Sequence, residues 1–254
     1  MSFDGALFHI LWPALVAGLL VTATLVPLGM QVLERGIVFI DLAIAQIAGA
    51  GIIFADALGW EPAGAAVQVA ALGAALAGAL LLTWTERRWP QVQEAIIGVA
   101  FVVASSAAVL LLAKNPHGGE QLKDLLAGQI LWLSPASLPL QALVYGVLLA
   151  LWFGLREKLG RMGFYVLFAC AVTASVQLVG LFLVFTTLVV PALATYYSRS
   201  RRFLKAYAIG VLGYALGLAA SAMGDLPSGA MIVCAMTGIA AAFFLMTSRP
   251  QSRI

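Results

Sequence analysis

Apolar residues run along this chain in long, nearly unbroken blocks at 7–30, 37–58, 63–85, 95–113, 138–155, 163–197, 203–223 and 230–246, separated by short polar or charged connections. A helix needs about 20 such residues to cross the hydrocarbon layer of a bilayer. The pattern therefore predicts an all-α, polytopic transmembrane helical bundle with about eight to nine membrane segments. No linker, low-complexity run or clear repeat divides it, so residues 1–254 read as one transmembrane domain. The first block is preceded by Asp4 but by no Lys or Arg, and it is longer than a signal-peptide core, so it reads as a retained first helix.

Composition narrows the picture. With 254 residues, 63% apolar and only 10% charged, and a mean hydropathy of +1.02, the chain is far from a water-soluble domain, which is near half apolar and a quarter charged. The blocks leave no room for a folded soluble domain beside them. Cys170 and Cys234 lie far apart inside apolar runs, with no ligand spacing of a structural zinc site, and read as packing residues.

Charge sets the expected topology. Twelve of the fourteen Lys and Arg residues fall in five places: Arg35; Arg87 and Arg88; Arg156, Lys158 and Arg161; Arg199, Arg201, Arg202 and Lys205; and Arg249 with Arg253. By the positive-inside rule these connections are cytoplasmic, which puts the amino terminus outside and the carboxyl terminus inside. The other two, Lys114 and Lys123, share an outer loop with Glu120 and Asp124. Residues 114–135 read as a turn followed by a short amphipathic helix at the outer surface, with Trp132 as interfacial anchor.

The block at 163–197 is the exception. Arg161 and Arg199 flank it on one side of the membrane, so it must enter and return as a hairpin or re-entrant segment. Gln177 to Gly180 supply the polar and flexible residues for the reversal. A bend at membrane depth is tolerated only where protein or a water-filled cavity satisfies its backbone. The hairpin is therefore expected in the interior, near a pathway.

No lysine follows a glycine, which excludes a GxxxxGK[ST] phosphate loop, and neither GxSxG nor HExxH occurs. Attention passes to polar groups at membrane depth, where ionisable residues are costly and therefore functional candidates. Asp41 stands about one turn inside the second block, as a pathway ligand or an interfacial anchor. Gln46 lies five residues on, about 140° around a helix, so spacing alone does not join the two; the alternative for Gln46 is an interhelical hydrogen bond. Thr173 and Gln177, four apart, share a face that lines a path or glues helices. His9 and His117 fall on the outer side with Glu120, Asp124 and Asp225, either as a capture site for a divalent cation or, more commonly for such scattered residues, as solvated loop chemistry. Gly213, Gly217 and Ser221 form a small-residue stripe for close helix packing. Asp225 to Gly229 read as a turn in which Asp225 caps the last helix.

Four segments in order, EAIIGVAFVVASSAAVLLL (94–112), DLLAGQILWLSPASL (124–138), VQLVGLFLVFTTLVVPALAT (176–195) and GDLPSGAMIV (224–233), resemble the membrane permeases of zinc, manganese and iron ABC importers. The resemblance implies a homodimeric permease in the inner membrane of a prokaryote. It implies two cytoplasmic ABC ATPase subunits that use the ATP, an extracytoplasmic metal-binding protein, and surrounding membrane lipid. Zinc or manganese would be the leading cargo, with iron a third. The chain itself would be no enzyme, hold no cofactor and bind no nucleic acid. Asp41 and Gln46 occupy the positions where that family implicates Asp and His in metal passage, with the spacing longer by one and an amide in place of imidazole. Arg156, Lys158, Gly160 and Arg161 correspond to the ATPase-coupling connection, which is shorter here than in the family; Arg199 to Lys205 is the second docking candidate. Two rival readings are a self-contained secondary transporter, expected to show paired mid-depth charges, and a non-transporting membrane subunit.

Overall fold

The computed structural model describes residues 5–60, 64–112, 126, 128, 130–155, 158, 160–198 and 200–247, with side chains from Ile10 onward. Among these residues there is no strand. The helices are α1 Gly5–Arg35, α2 Ile40–Ala57, α3 Ala65–Arg88, α4 Gln93–Leu112, α5 Leu138–Leu155, α6 Gly160–Val179, α7 Leu181–Ala194, α8 Arg202–Gly224 and α9 Ser228–Thr247. Eight of them are long and apolar enough to cross a bilayer, and α7 is shorter. The predicted outer helix within 114–135, with His117, Glu120 and Asp124, lies largely outside the described residues, as do Arg156, Arg199 and the side chain of His9. Within that segment, Ile130–Trp132 forms a 3-10 turn, and Trp132 is 85% exposed, as an interfacial anchor would be.

The block at 163–197 is a hairpin. It breaks at Gly180, whose φ of 83° lies in the left-handed region that a side chain disfavours. The bend keeps its backbone paired: the Gly180 N–H donates to the Val176 carbonyl, and its own carbonyl accepts from Val184 N. Gly128 presses onto the same turn, and a Cβ there would fall 2.1 Å from the Val179 carbonyl oxygen. The expected interior position holds. Two thirds of α6 (67%) is buried, against 22% for α4, α5 or α9. Fourteen residues of α7 span only about 21 Å, and they pack between α1 and α9.

Close backbone approaches make this packing work. A Cβ on Gly29 of α1 would meet the Leu188 carbonyl oxygen of α7 at 1.8 Å, so only glycine fits there. Pro27, two residues earlier, has no N–H for the Ala23 carbonyl, and the Tyr207 hydroxyl of α8 donates to that oxygen instead, at 2.9 Å. The small-residue stripe behaves as predicted: Gly213 and Gly217 bring α8 against Met236 and Ile232 of α9. One detail is corrected. Asp225 does not start α9; it sits at φ 50° as the C-cap of α8, its amide bonding the Ser221 carbonyl, because the following Pro227 breaks the chain before α9 begins at Ser228.

The basic ends collect on one side. Arg202 at the start of α8 pairs with Glu34 at the end of α1 at 2.8 Å. The Arg35 guanidinium lies 4.2 Å from the ring centre of Phe164, near the start of α6. Tyr197, just past α7, approaches Phe244 near the end of α9, with ring centres 6.4 Å apart. The start of α6 and the end of α7 therefore share one end of the bundle, as a hairpin requires.

Candidate functional site

At the end of the bundle opposite the basic clusters, α3, α5 and α6 part to leave a groove of about 670 Å³. Its polar lining comes from Gln68 of α3, Ser137 and Gln141 at the start of α5, and Thr173 and Gln177 of α6, with Trp132 at the edge. Thr173 and Gln177, four apart on one helix, both line it. Gln68 and Gln177 are exposed and Gln141 is half-buried. None of the three amides has a hydrogen-bond partner among the described residues. The Thr173 hydroxyl is buried and unpaired as well. Moving one unpaired amide or hydroxyl into hydrocarbon costs roughly 2–7 kcal/mol. The rest of the lining is largely apolar, including Leu72, Leu140 and Val144, and the amides set into it call for water or protein opposite them and not hydrocarbon alone.

Asp41 and Gln46 are elsewhere. Both belong to α2, which starts where Glu94 of α4 accepts the Phe39 N–H at 3.2 Å. Asp41 is 0% exposed and Gln46 3%, and neither lines the groove. Among the described residues the carboxylate oxygens of Asp41 and the amide oxygen of Gln46 have no hydrogen-bond partner of good geometry. Asp41 lies in the first turn of α2, where the helix dipole favours negative charge. Asp41 thus stays near the starting end of α2, where sequence puts it, but it is buried there and not open to the surface. No cluster of three or more His, Cys, Asp or Glu side chains occurs among the described residues.

At the basic end, Lys158, Gly160 and Arg161 are exposed between α5 and α6, and Gly160 has φ 51°. Arg156, grouped with them, lies outside the described residues. Beyond α7, Tyr196 and Tyr197 form an edge-to-face pair with centres 5.1 Å apart, 45% and 76% exposed. Around them, Arg202 stacks over Tyr196 and Lys205 donates to the Ser198 hydroxyl at 2.6 Å.

Sequence reasoning missed Gln68, Gln141 and Glu94. Each glutamine is a single amide in an apolar helix, and their sequence separation hides that they converge. The signal available was that isolation itself, since a lone amide at membrane depth needs a reason. Glu94 opens the segment at 94–112, and only packing shows that it accepts the Phe39 N–H at the start of another helix.

A model of the ABC 3 transport family matches residues 7–160 and 139–248 of the chain. Among solved structures, PsaBC from Streptococcus pneumoniae in complex with Fab is similar at a TM-score of 0.74 and 21% identity, with 96% of this chain and 92% of that one covered. An inward-facing conformation of a metal-chelate type ABC transporter is similar at a TM-score of 0.71 and 12% identity, covering 97% and 90%. At these identities the likeness is one of fold. No curated protein matches.

Proposed function

Because the chain belongs to the ABC 3 transport family, as a multi-pass membrane subunit distinct from the ATPase, we propose that it is the permease of an ATP-driven importer of divalent metal ions. Zinc or manganese is the leading substrate and iron the third. The observation that carries this reading is the set of polar groups, Gln68, Gln141, Thr173 and Gln177, gathered in an otherwise largely apolar groove. It opens at the end away from the basic clusters, the outer end by the positive-inside rule, where a binding protein would deliver the ion. Two copies facing each other across such grooves would enclose a wet path and cover the amides. The amino terminus is then outside and the carboxyl terminus cytoplasmic.

ATP is used by a separate cytoplasmic ATPase. Lys158, Gly160 and Arg161, with Arg156, form the exposed basic connection proposed to receive its force. A second docking reading rests on the exposed Tyr196–Tyr197 pair among basic residues, an aromatic and cationic combination typical of anchoring residues at protein interfaces. Asp41 and Gln46 are proposed as a deeper metal contact, reached only when the helices around α2 move. A secondary transporter fits less well: pairing of intramembrane charges is the usual mark of that class, and Asp41 has no charged partner at hydrogen-bonding distance.

Affinity purification of the tagged chain from its native host should bring down a P-loop ATPase. The reconstituted complex should then accumulate Zn²⁺ or Mn²⁺ in proteoliposomes only with ATP. Recovery of the chain alone, with ion movement independent of ATP, would refute the proposal.

A further inference from the structure

We infer that the outer groove handles its cation through neutral oxygens with the hydration shell kept in place, so that this stretch of the path does not itself choose between transition metals. The inference rests on the groove being the path and adds the chemical form in which the ion travels through it.

Three observations lead there. The groove presents three amides, from Gln68, Gln141 and Gln177, and the hydroxyl of Thr173, none with a hydrogen-bond partner among the described residues. Amide and hydroxyl oxygens are hard, uncharged groups that accept hydrogen bonds from bound water; imidazole and thiolate are the groups that hold Zn²⁺ tightly by direct coordination, and among the described lining residues only Cys170 offers such an atom, with no cluster of His, Cys, Asp or Glu to complete a site around it. The three amides come from three different helices, α3, α5 and α6, and so are spread around the wall and not gathered at one point. The size agrees. At about 30 Å³ per water, a groove of about 670 Å³ holds an ion with its full first shell and still leaves room. A dehydrated ion would find no cage of matching radius there. Conduction itself favours weak, multiple contacts over one tight site.

The consequence is a gain of discrimination when nitrogen ligands are introduced. In the complete reconstituted transporter, with Cys170→Ala and Cys234→Ala as background, Gln177→Cys is first treated with a membrane-impermeant methanethiosulfonate. Blocked uptake is expected; unaltered uptake would show that the groove is not the path, which refutes the function proposed above and the inference with it. Next, Gln141→His and Gln177→His are combined. Zn²⁺ uptake is expected to fall about tenfold through trapping, with Mn²⁺ uptake, which imidazole holds less tightly, nearly unchanged. The purified double variant should bind Zn²⁺ measurably more tightly than the parent chain in detergent. If thiol modification blocks uptake but the histidine pair leaves the Zn²⁺ to Mn²⁺ ratio and Zn²⁺ binding unaltered, the path stands and the neutral-oxygen inference falls. Retention of the ATPase by the double variant on gel filtration separates trapping from misfolding.

Discussion

Single residues carry two separable consequences. Asp41 is buried without a hydrogen-bonding partner among the described residues, and a carboxylate that is merely packed would gain from losing its charge. Asp41→Asn should therefore keep or raise the melting temperature of the purified permease, while uptake at limiting metal drops about tenfold if the carboxylate meets the ion. Unchanged uptake in that variant would remove Asp41 from the path. Gly180 is a plainer case. Its φ of 83° and ψ of 163° form a backbone essentially confined to glycine, so Gly180→Ala costs about 1–3 kcal/mol, and thermal unfolding in detergent should show a lower midpoint. Its flexibility was legible in the sequence; the tight seat of Gly128 on the same turn was not, because nothing in the spacing of residues 128 and 180 indicates contact.

At the scale of elements, α7 shows how a helix too short to span can be stable within the membrane. It is buried on most of its surface, including Leu183, Val184, Thr187 and Leu188. Thr187 also bonds back to the Leu183 carbonyl at 2.7 Å and meets the Tyr214 hydroxyl at 3.1 Å. The α5–α6 connection plays a different part, exposed and basic. Replacing Arg156, Lys158 and Arg161 together with Gln should leave the bundle folded yet lower the ATPase recovered with it severalfold. Full recovery in a pull-down would shift the docking site to the Tyr196 to Lys205 segment. Helix boundaries followed closely from composition, since α5 coincides with the predicted block at 138–155 and most others differ by a few residues. The exceptions are ends such as that of α1, which continues to Arg35, where a helix outruns its apolar stretch because nothing in Gln31 to Glu34 stops it.

For the molecule as a whole, the two ends differ in kind. One gathers Arg35, Arg161, Arg202 and Lys205; the other opens the amide-lined groove. With the basic end cytoplasmic, as proposed from the positive-inside rule, Ser198, beyond α7, lies on the cytoplasmic side. A cysteine placed there in a cysteine-free background should react with an impermeant maleimide only after the cells are opened, and labelling of intact cells would overturn the hairpin and the orientation together.

The amino-acid sequence alone determined that the chain lives in a bilayer, how its blocks divide into helices, and that residues 163–197 must double back. These follow from transfer free energies and charge, which are properties of short stretches and need no knowledge of neighbours. Only the tertiary structure decided that Gln68, Gln141 and Gln177 share one groove and that Asp41 is sealed away from it. Which faces of separate helices meet depends on backbone approaches such as Gly29 against Leu188 and on caps such as Glu94 over Phe39. Those contacts join residues distant in the chain, so local apolar pattern carries no record of them.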